Sequence, residues 1–410
     1  MQSRRIPYLA SALLAALIVG SCGAADPAIG GAAVRGVTET GPSEAGLGGS
    51  AAAGDEGGTT VAPDGDGVPS ATPAPSGSTG SAVGVAVVGP EGAGLAASAG
   101  GEPTVQAASG LPLPVLARSG EWLEVLDSCG NPAWVQTADV ELTPQAAGGG
   151  TPGPGFELSE AVVVVDAGHG DRDWGAIGPE GLSEKVLNLD IATRVRELML
   201  RSNSVDWTTG TITDGSDIPA FGTVWLTRPP EGPLGGQYEA GLAFRAELAN
   251  SAGADVLVAV HNNTVPKVAS DFPGTQVLYS VGNEDSARLG ALLYEEVLRS
   301  MSAFEADWSA GDLVGAIARY NPDTGEDYYG LLRRATMPSA IVEGLYLSEP
   351  EEEALLATEE VKQAYAEGVY RGVVRFLTTD DAGTGLRPPD PYPEERTPTG
   401  TSACVVPAQS

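Results

Sequence analysis

Positive charge is what this chain has least of: 22 Lys and Arg stand against 54 Asp and Glu in 410 residues, a net charge of -32. So acidic a protein offers no basic footprint for nucleic acid and none for anionic lipid, which excludes partners held by broad electrostatic attraction. The consequence of the acidity is solubility. Large apolar side chains are missing from long stretches in which many of the 56 Gly and 31 Pro are found. Such stretches cannot bury a core, so the folded part is smaller than the chain. Only three Cys and two His occur. The apolar run from Tyr8 to Val19 is too short for a comfortable membrane span.

That run nevertheless has a purpose. Arg4 and Arg5 precede it and small residues follow it up to Cys22, the parts of an export signal. The ending Val19-Gly20-Ser21-Cys22 resembles the lipobox of bacterial lipoproteins, which implies cleavage before Cys22 and a lipid anchor on it. Cys129 and Cys404 then remain as an even pair in a compartment that permits disulfides. Either they bridge the two ends of the folded region or they are unrelated thiols.

Composition divides the rest. Residues 1–21 read as the signal peptide and 22–80, rich in Gly, Ala, Ser, Thr and Pro, as a disordered tether giving reach. Residues 81–145 carry short alternating runs, Leu113 to Leu116, Trp122 to Leu126 and Trp134 to Val135, split by Ser119-Gly120 and Gly130-Asn131. Short strands on tight turns make a small all-β barrel. The stretch Leu116 to Val125 followed by Ala133-Trp134-Val135 resembles the bacterial SH3-like domains attached to cell-wall enzymes. Trp122 and Trp134 are expected in its core. Residues 379–410 form an irregular, Pro-rich tail.

Residues 158–378 alternate strand and helix. Val162 to Val165, Val224 to Leu226, Val256 to Val260, Val277 to Tyr279 and Ala340 to Val342 are apolar on both faces, as buried parallel strands require. Between them Val186, Leu187, Leu189, Ile191, Val195 and Leu198 recur at helical spacing, and similar patterns start at Leu242 and Leu289. The expected fold is α/β: a doubly wound, mostly parallel twisted sheet with helices on both faces. Ser202 to Thr223 is polar, Gly-rich and longer than a link needs to be, which makes it a lid, a substrate wall or a surface loop.

The two His, His169 and His261, each follow an apolar strand, and Val342 runs directly into Glu343. In a parallel sheet the carboxyl ends of strands share one edge, so these three side chains can converge there. Glu184, behind the N-cap candidate Ser183, is a candidate third metal ligand or a helix-dipole carboxylate. Two imidazoles with carboxylate favour zinc, and three protein ligands leave a position open for water.

At this point the motifs become specific. Val164 through Gly170, Gly175-Ala176, Gly181 through Lys185 and Asn188-Leu189, then Leu226-Thr227-Arg228, Arg245, Ala254 through Asn263 and Pro338 through Gly344 resemble the zinc-dependent N-acetylmuramoyl-L-alanine amidases. The resemblance spans residues 161–377. It departs at Ala167, Asn262, Tyr346 and Glu349, where the family has Pro, a small residue, Phe and Asn. The resemblance implies zinc ligands at His169, Glu184 and His261 and a catalytic acid at Glu343. It implies peptidoglycan as substrate, cut between muramic acid and the L-alanine of the stem peptide. Two alternatives differ in kind. A zinc carboxypeptidase on stem peptides generally places its first His and Glu three residues apart, whereas Glu184 lies 15 positions after His169. A catalytically silent wall-binding lipoprotein predicts a lost ligand or acid, and none is lost.

Overall fold

The computed structural model describes residues 84–170, 173–228, 240–264, 274–305 and 314–392. Cys22, Cys404 and the proposed signal and tether lie outside the described residues. No helix among those described is long and apolar enough to cross a membrane.

The first element group is all β. β1 (Gly84–Val88), β2 (Ala93–Ala96), β3 (Pro103–Ala107), β4 (Pro112–Ser119), β5 (Trp122–Leu126), β6 (Pro132–Gln136) and β7 (Val140–Pro144) make one antiparallel sheet in the order β3-β2-β6-β5-β4-β1-β7. Period-two alternation gives β5 and β6 one inner face, Leu123, Val125, Ala133 and Val135, which is buried. Trp122 and Trp134 therefore do not enter the core as expected. They fall on the outer face beside Glu124 and Gln136 and stay half-buried.

The second group is the α/β unit, and its sheet is mixed. β8 (Val162–Ala167), β11 (Thr223–Leu226), β12 (Val256–Asn263), β13 (Gln276–Tyr279), β14 (Gly315–Ile317) and β16 (Ser339–Tyr346) lie in the order β11-β8-β12-β16-β13-β14. β11, β8, β12 and β16 run parallel, while β13 is antiparallel to β16. β14, a strand of three residues, is too short to be legible as a periodic run.

The faces follow the side-chain alternation. Val163, Val165, Val258, Val260 and Val342 pack with α1 (Glu184–Met199), α3 (Ser286–Met301) and α6 (Glu359–Thr378). Val162, Val164, Leu257, Ala259 and Ile341 pack with α2 (Leu242–Ala252) and α4 (Gly330–Arg334). Phe244 of α2 joins Leu113, Val115 and Leu123 in that same core, so the small β-sheet closes over α2 and the two groups share one apolar interior. Removal of this apolar surface from water is the main force holding them together.

Two differences from the sequence-based expectations, and one element for which there was no expectation, remain. The long link before β11 contains a hairpin, β9 (Asn203–Asp206) and β10 (Thr211–Asp214). Its turn is tied down by Arg299, which donates to Trp207 O and Thr208 O, and by Arg371, which donates to Gly210 O. It follows the carboxyl end of α1 and precedes β11, at the sheet edge away from the histidines, so it is neither lid nor wall for them. Second, the tail docks up to Tyr392: Ala316 bridges Leu386, and β17 (Asp390–Pro391) pairs with β15 (Arg319–Tyr320). Third, α5 (Pro350–Leu356), whose Pro sits at the helix start where no N–H is missed, returns Glu352 and Glu353 to the interior.

Candidate metal centre

β8 ends short of β12: their last pairing is Val260 with Ala167, whereas β12 continues through Asn263 and β16, on the far side of β12, through Tyr346. His261 and Glu343 thus sit inside strands instead of just beyond them. They are register partners, so their side chains leave the sheet side by side where β8 no longer covers them. His169 takes φ +61, the only positive φ outside glycine among the described residues. The chain must turn sharply there, away from the strand and back over the edge.

Two buried cations hold that turn. Arg245 donates to Ala167 O at 2.7 Å, to His169 O at 2.6 Å and to Asp166 Oδ1 at 2.5 Å. Arg228 donates to Ala167 O at 2.9 Å and to Gly168 O at 3.0 Å. Carbonyls that a strand would have paired are satisfied by guanidinium, the side chain with the most donors in a rigid fork. The Asp166 carboxyl lies below its usual range: burial opposes this, but Arg245 and the Thr227 hydroxyl overcome it. Gly168 is required, since a Cβ there would stand 2.2 Å from the His261 ring.

Glu184 opens α1 and is almost fully buried. Ser183 occupies the N-cap position but its hydroxyl makes no cap bond, so the helix start is held otherwise than expected. The Glu184 carboxylate accepts from Ala176 N at 2.7 Å, Asn262 N at 3.2 Å and Asn188 Nδ2 at 3.2 Å. It also reaches both imidazoles, His169 Nε2 at 3.1 Å and His261 Nδ1 at 3.1 Å. The two rings stand edge to face, centroids 4.9 Å apart. One donor atom each from His169, Glu184 and His261 fall within 4.8 Å of one another.

Asp173, unforeseen from the sequence, accepts from His169 Nδ1 at 2.9 Å, which leaves Nε2 for the cluster. A carboxylate behind a ligating imidazole fixes ring orientation and tautomer. Burial would lower the His169 pKa, but the hydrogen bonds that its ring donates to Asp173 and Glu184 outweigh it and raise it to about 9. Glu184 is held far below the carboxylate range: burial opposes, and the two histidines prevail. Two imidazole nitrogens and a carboxylate oxygen on one open edge fit zinc with a fourth position free. Behind the strands, the Tyr365 hydroxyl lies 2.9 Å from His261 O and from Val342 O, tying β12 to β16 beneath the site.

The four residues expected at the site are brought to one edge. Asp173 and Tyr365 were missed, and Asn188, Asn262, Arg228 and Arg245 were placed in the motifs without a role at the site. Asn188 stands one helical turn after Glu184, a spacing that identifies it. Arg228 and Arg245 occur in apolar surroundings in a chain poor in cations, which marks them as buried. Asp173 lies in an aperiodic loop and gives no such signal. Cys129, in the turn after β5, is disulfide-bonded.

A family model described as N-acetylmuramoyl-L-alanine amidase matches residues 163–375, just over half of the chain. Similar proteins include the germination-specific N-acetylmuramoyl-L-alanine amidase of Bacillus subtilis, 24% identical over 54% of this chain and 81% of that one. N-acetylmuramoyl-L-alanine amidase AmiC of Neisseria meningitidis is 27% identical over 56% of this chain and 55% of its own length. Among solved structures, the N-acetylmuramoyl-L-alanine amidase from Clostridium difficile 630 is 26% identical, with 54% of this chain and 98% of that chain covered and a TM-score of 0.41.

Proposed function

The chain belongs to the N-acetylmuramoyl-L-alanine amidase family, and from that premise we propose that it is a zinc-dependent peptidoglycan hydrolase with His169, Glu184 and His261 as ligands and Glu343 as catalytic carboxylate. The bond cut is the amide between the lactyl group of N-acetylmuramic acid and the L-alanine that begins the stem peptide. One observation carries the reading: three potential ligands of the right chemistry meet within 4.8 Å, and Glu343 is the register partner of one of them.

Zinc bound there would supply Lewis acidity, polarising the scissile carbonyl and making water a nucleophile near neutral pH. Everything else is the work of side chains. Asp173 presents His169 Nε2 to the site, and Arg228 and Arg245 hold the turn that carries it. Glu343 accepts the proton of the attacking water and returns a proton to the departing amine of L-alanine, so no covalent intermediate forms. Neither histidine is left over to activate a serine, so a Ser-His nucleophile is not available.

Around this chemistry we assign residues 158–378 to the catalytic domain, 81–145 to an SH3-like domain and 379–410 to a tail. Residues 1–21 are assigned to a lipoprotein signal peptide and 22–80 to a tether. Lipidated Cys22 would place the enzyme outside the cytoplasm, on the membrane and facing the wall, with the tether giving it reach. Cys404 is the proposed disulfide partner of Cys129.

Glu343→Gln tests the central role, because it keeps the shape and loses the base. Turnover on peptidoglycan is expected to fall by about 10² to 10⁴ while zinc content stays at the wild-type level. Nearly unchanged hydrolysis, or loss of zinc from the variant, contradicts the assignment.

A further inference from the structure

Trp174 is 54% exposed, although it stands directly between Asp173, which holds His169, and Gly175. A Cβ at Gly175, where φ is +64, would lie 2.5 Å from Glu184 Oε2 and 2.6 Å from His169 Cδ2. Successive Cα atoms are about 3.8 Å apart, so the Trp174 backbone is at the rim of the metal cluster itself. The indole is not loose there. The Lys185 ammonium sits 3.4 Å from its ring centroid, and Trp174 O accepts from Lys185 N at 3.3 Å, which fixes the residue against the first turn of α1. Two more apolar residues close by in sequence, Ile177 after the same loop and Val186 next to Lys185, are 53% and 57% exposed. Leaving so large an aromatic side chain more than half in water forgoes part of the free energy of its burial.

The substrate explains it. Three covalent bonds join the scissile carbonyl carbon to the ring carbon of the muramyl sugar, through the lactyl carbon and the ether oxygen. They span at most roughly 4 Å, so a pyranose ring must lie beside whatever cleaves that amide. Pyranose faces carry polarised C–H groups, and an indole face, negative at its centre, attracts them while excluding water. We propose that Trp174, braced by Lys185, is the platform on which the muramyl sugar stacks, so that it makes the enzyme prefer substrates that still carry the glycan. This rests on the amidase reading above and adds to it a determinant of specificity. Trp174 is a positioning residue and moves no proton.

The test compares two substrates with the full mature enzyme loaded with zinc: a muramyl tripeptide, and the same peptide carrying only a D-lactoyl group in place of the whole sugar. Trp174→Ala is expected to raise KM about tenfold for the muramyl substrate and to leave KM for the lactoyl peptide and the zinc content unchanged. Trp174→Phe, which retains an aromatic face, should recover most of the loss. A Trp174→Ala enzyme with wild-type KM on both substrates overturns the platform. So does an equal rise on both, which would make Trp174 a support for the metal loop. Wild-type enzyme that cleaves neither substrate overturns instead the amidase reading beneath it, and that result is read before any variant is made.

Discussion

At the scale of single residues, the site depends on charges that stabilise one another. Among the described residues His169 and His261 each offer one nitrogen to a cluster completed by the Glu184 carboxylate, so His169→Ala or His261→Ala leaves two of the proposed ligands. Two ligands cannot hold zinc in an open tetrahedral site, and metal per chain should drop from one to near zero in either variant. Full occupancy, measured by elemental analysis after desalting, would remove that residue from the ligand set. A titration outside the proposed ligand set belongs to Glu352. Glu352 is buried and accepts from Tyr346 N at 2.6 Å, and burial pushes its pKa up to about 8 from an ordinary 4.5. Between those values the folded state keeps a proton that the unfolded chain has lost, so this group makes stability fall as pH rises from about 4.5 to 8. Glu352→Gln should flatten that fall, seen as a smaller difference in melting temperature between pH 5 and pH 8. An unchanged difference would mean that Glu352 is ionised in the native protein.

At the scale of elements, the turn after β8 is the critical joint. Arg245 of α2 satisfies Asp166, Ala167 O and His169 O together. Arg245→Ala leaves Asp166, 1% exposed, without its cation. Stripping one partner from a buried pair costs about 3–5 kcal/mol, and the loss should appear in denaturant unfolding together with faster zinc release. Stability near that of wild type would show that the guanidinium is dispensable to the turn. The elements themselves were largely legible in the sequence. Four valines in β8 announce a strand buried on both faces, and the two histidines mark the edge because each follows such a run. What was not legible depends on pairing partners that the sequence does not name. Trp122 and Trp134 were expected inside, but the alternation of β5 gives the inner face to Leu123 and Val125. The hairpin of β9 and β10 reads as loop because its strands are four residues long and polar, and Arg299 and Arg371 from distant helices hold it. Asp173 belongs to the site through a turn without periodicity.

At the scale of the whole molecule, the acidic chain and its open edge of potential metal ligands make a hydrolase, and its proposed placement rests on Cys22, which lies outside the described residues. No described helix can cross a membrane. On the proposed lipidation, Cys22→Ala should move the protein from the membrane pellet to the soluble fraction of extracytoplasmic extracts, and a variant that still pellets in high salt would show that something other than the lipid holds it. Zinc-dependent cleavage of the lactyl amide is most directly tested by mass analysis of peptidoglycan fragments released by the purified mature chain, before chelation, after it, and after zinc is restored. The prediction is glycan bearing free lactyl carboxylates together with stem peptides that begin at L-alanine, abolished by the chelator and recovered with zinc. Fragments shortened only at the carboxyl end of the stem peptide, or release that the chelator does not touch, would contradict it.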